Sequence, residues 1–284
     1  MRQLAKHMVE WFTHLIGRVT RRYYFEDYIR VYPDQVAFNR FGKSRRITRT
    51  DRNNYLNHRK YYRFVGQFVR GKTVTDVGCG SGYGCEMLVE SGAARVVGCD
   101  ISRHALEFAR RRYGKLAEFI EQGITDLHQF PDASFDVTIS SEVLEHIKEY
   151  QLEDQAVKEL KRVTKAGGIV IVGTPNSELL GDHGFSYDEM HKLFATHFEQ
   201  FVIFENALVP WGGQKQDWLR RLADGRTGVI VSENINLDET VLPESVEAEL
   251  KRGLTPGRYL FQHLDIDTTL LHNTHSWIVI AIKS

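Results

Sequence analysis

The stretch Thr73–Leu88, Thr-Val-Thr-Asp-Val-Gly-Cys-Gly-Ser-Gly-Tyr-Gly-Cys-Glu-Met-Leu, constrains the fold more than any other part of the chain. Val74 and Val77 lie in a short β-prone run; Gly78, Gly80, Gly82 and Gly84 then remove four β-carbons from seven residues. Helical spacing resumes with Glu86, Met87, Leu88 and Val89. A strand, a glycine turn and a helix open a nucleotide-binding βαβ unit. Glycine there accepts positive φ and lets backbone come close to a ligand.

The spacing separates three ligand classes. A dinucleotide site has Gly-x-Gly-x-x-Gly, but counting from Gly78 or Gly80 puts Tyr83 or Cys85 at the third position. A mononucleotide loop closes with Gly-Lys-Ser/Thr, which is missing. The pattern present is Asp76-x-Gly78-x-Gly80-x-Gly82, with an acid at the strand end.

Downstream, strands and helices alternate. Arg95–Asp100 reads as a second strand, Arg103–Tyr113 as a helix capped by Ser102, Ala117–Glu121 as a third strand and Ser134–Ser140 as a fourth. Helices follow at Glu142–Tyr150 and Gln155–Thr164, then a fifth strand at Ile169–Gly173, a helix at Tyr187–Thr196 and strands at Phe198–Phe204 and Trp277–Ile282. This order predicts an α/β protein: an open, doubly wound, mostly parallel seven-stranded sheet with helices on both faces. We expect a basic helical extension over 1–50, a cofactor-binding core over 51–205, a cap or lid over 206–275 and a final core strand over 276–284. The roughly seventy residues before the last strand far exceed what a direct connection needs.

The motif resembles the first motif of class I S-adenosylmethionine-dependent methyltransferases. Phe130–His146, Lys165-Ala166-Gly167-Gly168 and Thr174-Pro175-Asn176 extend the resemblance to about residues 55–205. Tyr61–Gly84 is most similar to bacterial methyltransferases found with cell-surface sugar biosynthesis. The resemblance implies S-adenosyl-L-methionine as cofactor, held by Asp76, Gly78, Cys79, Gly80 and Gly82, with Asp76 facing the methionyl ammonium. Asp100, 18 residues beyond Gly82, is placed to accept from the ribose hydroxyls, with Ile101 on the adenine. Ser141 and Glu142 end the fourth strand, in the crevice where open α/β sheets bind ligands. In the family an aspartate often follows the glycine of Gln122-Gly123; here Ile124 stands there. The base is then read by Ile124 and Thr125, or by Asp126 after a one-residue shift.

His146 and His183 are the candidate general bases for an alcohol acceptor, since imidazole titrates near neutrality. Glu142, Glu145 and His146 share a helix face at i, i+3 and i+4. With His183 they resemble the metal-holding quartet of small-RNA 3′-terminal 2′-O-methyltransferases, but Glu-Val-Leu-Glu-His also recurs in relatives that use no metal, and we assign none. Tyr61, Tyr62 and Tyr83 line the methionyl end or belong to the core. The acceptor expected is a small molecule, a hydroxyl of a sugar or related metabolite. The alternatives are a terminal RNA ribose or a binding module without turnover.

Formal net charge is zero, yet residues 1–63 carry 15 Lys/Arg against 5 Asp/Glu. Such an arm either meets an anionic partner or pairs with the acidic remainder of the chain. Trp11, Phe12, Leu15 and Ile16 form a short apolar face, too short to span a bilayer; it docks on the protein's own core, on a second copy in a homodimer, or weakly on a membrane surface. Cys79, Cys85 and Cys99 have no metal spacing and read as reduced, buried thiols of a cytoplasmic protein.

Overall fold

The computed structural model describes residues 58–59, 61–177, 183–208, 228–229, 258–263 and 274–284. The expected basic extension over 1–50, most of the expected cap and Gly181-Asp182 lie outside the described residues.

Residues 61–65 form a helical turn, α1, that runs into a 3-10 turn at Gly66–Phe68. In chain order there follow β1 (Thr73–Val77), α2 (Tyr83–Glu90), β2 (Arg95–Asp100), α3 (Arg103–Tyr113), β3 (Glu118–Glu121) and β4 (Phe135–Ser141). Then come α4 (Leu144–Lys148), α5 (Glu153–Val163), β5 (Thr164–Pro175), α6 (Tyr187–His197), β6 (Gln200–Leu208), β7 (Gly228–Val229), β8 (Arg258–His263) and β9 (Thr274–Ile282).

The strand order is β3-β2-β1-β4-β5-β9-β6-β8-β7. Its first seven members are the expected seven-stranded sheet, parallel except for β9, which runs antiparallel between β5 and β6. The sheet continues past those seven at the β6 edge. Two short pieces of the segment read as a cap are strands: β8 pairs parallel with β6, and β7 with β8. Neither stands out in a scan for alternation.

Strand residues alternate between two apolar layers. Val96, Ile171, Val202, Phe204, Ile278 and Ile280 face the layer formed by the segment 61–69, α2 and α3. Val97, Val170, Val172, Phe201, Ile203, Trp277 and Val279 face α5 and α6. A sheet covered on both faces needs both sets apolar, which is why the strands read as continuous hydrophobic runs.

The helices start where the sequence offers caps. Ser102 accepts from the Ala105 N–H at 3.2 Å, and Ser186 with Glu189 forms a full capping box at α6. At α2 the N-cap is Gly82 at φ 83°. α4 is shorter than expected because Glu142 sits at φ 55°, which breaks the helix before Leu144.

Gly84, inside α2, answers a packing demand: a β-carbon there would overlap the ring of Tyr62. Gly84→Ala should therefore cost about 1–3 kcal/mol through overpacking, measured by urea denaturation. An unchanged midpoint would show that the ring yields freely.

Candidate active site

The glycine turn begins where β1 ends. Gly78 and Gly80 adopt φ 84° and 53°, and the amides of Gly78 and Cys79 both donate to the Cys99 carbonyl, at 2.7 and 2.9 Å. The turn is thus tied to the end of β2. A second tie is the Asp100 carboxylate: Oδ2 accepts from the Gly80 N–H and Oδ1 from the Ser102 N–H, each at 2.8 Å. Asp100 lines the cavity beyond.

That cavity, of about 610 Å³, opens across the carboxyl ends of β1, β2 and β4. Of the residues expected at the cofactor, Gly78, Cys79, Gly80, Asp100, Ile101, Ile124, Thr125, Ser141 and Glu142 line it. Ile101, 68% exposed, stands at its rim like a free apolar platform. His146 and His183 line it too, with ring centroids 5.5 Å apart.

Three expectations differ. Asp76 is fully buried and does not line the cavity: both of its oxygens accept from the Tyr62 hydroxyl, at 3.1 and 2.9 Å, and Tyr62 forms the wall in its place. Gly82 is buried as the helix cap, where a β-carbon would meet Ala109 and Phe119. Asp126 points to solvent, its side chain 71% exposed beside His128 at 3.2 Å, which leaves Ile124 and Thr125 beside the cavity.

The sequence reading missed His58, Ser81 and Gln122 as lining residues. His58 belongs to the helical run before the motif, and its Nδ1 lies 2.5 Å from the Tyr83 hydroxyl. No spacing links it to the glycine turn. Gln122 carried a signal: a polar side chain directly after β3, at the carboxyl edge of the sheet. Its Nε2 is buried without a hydrogen-bond partner, a donor left for a ligand.

The acidic side chains at the cavity are pushed upward. Burial, and then the charge of Glu145, raises the Glu142 carboxyl well above its usual range. Burial pushes Glu145 up to about 7, opposed by the Thr174 hydroxyl at 3.1 Å. Beneath the turn, burial pushes Asp76 up to about 7 despite hydrogen bonds from Tyr62 and Cys85. Glu142 also holds positive φ without being glycine, which costs about 1–3 kcal/mol and marks a constrained position. His146 Nε2 is 3.7 Å from Glu145 Oε1. Among the described residues, no three His, Cys, Asp or Glu side chains are arranged to hold a metal ion.

An open parallel sheet that ends in a glycine turn, with an acid on the next strand, defines a nucleoside-binding α/β domain. Residues 75–172 match the family model described as a methyltransferase domain. Over these residues the chain is similar to S-adenosylmethionine-dependent methyltransferases. It is 33% identical over 122 residues to a "probable S-adenosylmethionine-dependent methyltransferase" of Mycolicibacterium smegmatis, covering 43% of this chain and 45% of that one. It is 31% identical over 185 residues to the tRNA U34 carboxymethyltransferase of Alteromonas mediterranea, covering 60% and 50%. The chain thus spans about half the length of these curated relatives. Among solved structures, magnesium protoporphyrin IX methyltransferase from Synechocystis is similar at 19% identity and a TM-score of 0.46, covering 62% of this chain and 84% of that one.

The residues fit an adenosine-type cofactor: the Asp100 carboxylate, a buried Gln122 amide donor and the apolar Ile101 and Ile124 surround one volume.

The shifted acids predict a pH dependence. Asp76 and Glu145 release their protons at ordinary values when unfolded, but only near 7 when folded. Their contribution to stability is therefore greatest at pH about 4 and is lost as pH rises to about 7, by on the order of 2–4 kcal/mol for each such shift. Asp76→Asn should flatten the fall in unfolding free energy between pH 5 and 8. A fall equal to that of the unaltered protein would contradict the assigned shift.

Proposed function

We propose that this protein transfers a methyl group from S-adenosylmethionine to a hydroxyl of a small uncharged acceptor, a sugar or related metabolite. One observation carries the reading. A single cavity has the glycine turn and Asp100 on one side, and Glu142, Glu145, His146 and His183 on the other. The charges around it favour an uncharged acceptor. Its described lining includes Asp100, Glu142 and Glu145 but no Lys or Arg, whereas a polyanion such as RNA is bound largely through cations. Carboxylates and imidazoles instead suit the many hydroxyl donors of a sugar.

When bound, the cofactor supplies a methyl carbon made electrophilic by the sulfonium. Asp100 accepts from the ribose hydroxyls, and Ile101 and Ile124 enclose the base. His146 takes the proton of the acceptor hydroxyl as that oxygen attacks, and the Glu145 carboxylate, 3.7 Å away, stabilises the resulting imidazolium. His183 holds the acceptor beside it and serves as the second base. Much of the rate enhancement comes from holding donor and acceptor in line.

Two measurements test this. Asp100→Ala should weaken S-adenosylmethionine binding in titration calorimetry by about 1–3 kcal/mol through lost charged hydrogen bonds; unchanged affinity would refute its ribose role. With a panel of sugar acceptors and radiolabelled donor, His146→Ala should lower kcat by about 10²–10⁴ with cofactor affinity retained. Turnover of RNA 3′ ends that is abolished by chelator, with no turnover of sugars, would overturn the acceptor assignment in favour of a metal-assisted ribose methyltransferase. Binding without turnover of any acceptor would favour a binding module.

A further inference from the structure

Asp76 stands at the acidic position of the glycine motif, yet Tyr62 lies between it and the cavity. The Tyr62 hydroxyl spans both carboxylate oxygens, at 3.1 and 2.9 Å, and the Cys85 thiol reaches Oδ2 at 3.6 Å. The Tyr62 ring is almost wholly buried but lines the cavity beside Gly78, Cys79 and Tyr83. It stands edge-on to Tyr83, with centroids 6.0 Å apart, and it fits against α2 because Gly84 has no side chain. Tyr83, in turn, is held through its hydroxyl by His58. An acid that sees no ligand is thus connected to the cavity wall by one aromatic ring of fixed orientation.

This connection has an electrostatic consequence. A phenol that donates to a carboxylate becomes richer in electrons, and the face of an aromatic ring attracts cations. The carboxylate charge itself lies in a region screened little by water. Tyr62 packs over Gly84 and against Tyr83 at the glycine turn and lines the same cavity, and we assign that part of it to the methionyl end of the cofactor.

We propose that Asp76, acting through Tyr62, makes this cavity discriminate a sulfonium from a thioether, so that the methyl donor is preferred over its demethylated product. Tyr62 is the residue facing the ligand, and Asp76 is a positioning residue that orients and polarises it. The inference rests on the cofactor reading given above and adds a reason for product to leave after transfer. The titratable groups around Asp76 are the hydroxyls of Tyr61 and Tyr62 from α1, the thiols of Cys79 from the turn, Cys85 from α2 and Cys99 from β2, and the Asp100 carboxylate from β2. Burial pushes Asp76 up to about 7, so the charged form required here predominates above that pH.

The test is titration calorimetry at pH 8 of the full chain with S-adenosylmethionine and, separately, S-adenosylhomocysteine. The unaltered protein should bind the sulfonium form more tightly. Tyr62→Phe removes the hydroxyl and keeps the ring; Asp76→Asn removes the charge and keeps a partner for the hydroxyl. Each should reduce the ratio of the two affinities about 3- to 10-fold, by weakening the donor and leaving the product unchanged. A merely structural role would weaken both nucleosides alike, and that result would overturn the proposal. Equal affinities in the unaltered protein would overturn it even if neither variant folded. Failure of the unaltered protein to bind either nucleoside would instead remove the cofactor reading itself, and the proposal with it.

Discussion

Two backbone amides converging on the Asp100 carboxylate hold this site open. Gly80 donates from the turn and Ser102 from the start of α3, each at 2.8 Å, so one side chain fixes the distance between two loops that leave adjacent strands. Hydrogen bonds to a charged group contribute about 1.5–3 kcal/mol each. They offset the conformational cost of a turn that passes through positive φ at Gly78, Gly80 and Gly82. Without that carboxylate, the amide of Gly80 would lose its acceptor and the crevice between β1 and β2 would lose a wall. The acid proposed to grip the ribose therefore also builds the surface on which the nucleoside lies.

The second half of the cavity depends on a different device. His183 lies just before a segment clasped from three directions: Phe185 N–H donates to the Pro175 carbonyl, Trp277 Nε1 donates to the Phe185 carbonyl at 2.7 Å, and Lys148 Nζ donates to the Gly184 carbonyl at 2.8 Å. Strand β9, although last in the chain, thus steadies a residue nearly a hundred positions earlier. Antiparallel insertion of β9 between β5 and β6 brings Trp277 to that spot, where its ring is fully buried. Core packing and the position of a proposed base are one and the same arrangement here.

This division explains what the sequence made legible. Local chemistry was readable: the glycine turn, the Ser102 cap and the strand at Arg95–Asp100 all follow from neighbouring residues. Asp100, Ile101, Ile124 and Thr125 could be placed because a strand end and a turn fix where a side chain goes. The cover over Asp76 was not legible because its surroundings come from elsewhere in the chain. Tyr62 lies fourteen positions away in sequence, and nothing between them announces that a ring will cover the acid. His58 was missed for the same reason, as its partner Tyr83 is twenty-five positions on. β7 was missed because two residues carry no alternation, and β8 because Tyr259-Leu260-Phe261 are consecutive and do not alternate with polar residues.

Three carboxyl groups, Asp76, Glu142 and Glu145, gather at or beneath one cavity, and burial raises the pKa of each. No described lysine or arginine of the lining compensates them. Burying acids without cations destabilises a fold, and such arrangements persist where a ligand supplies the missing charge or hydrogen. A cofactor with a sulfonium and an ammonium, together with the hydroxyl-rich acceptor proposed above, supplies both. The electrostatics of the cavity therefore select the same ligand class as the spacing of the glycines, by an independent physical route.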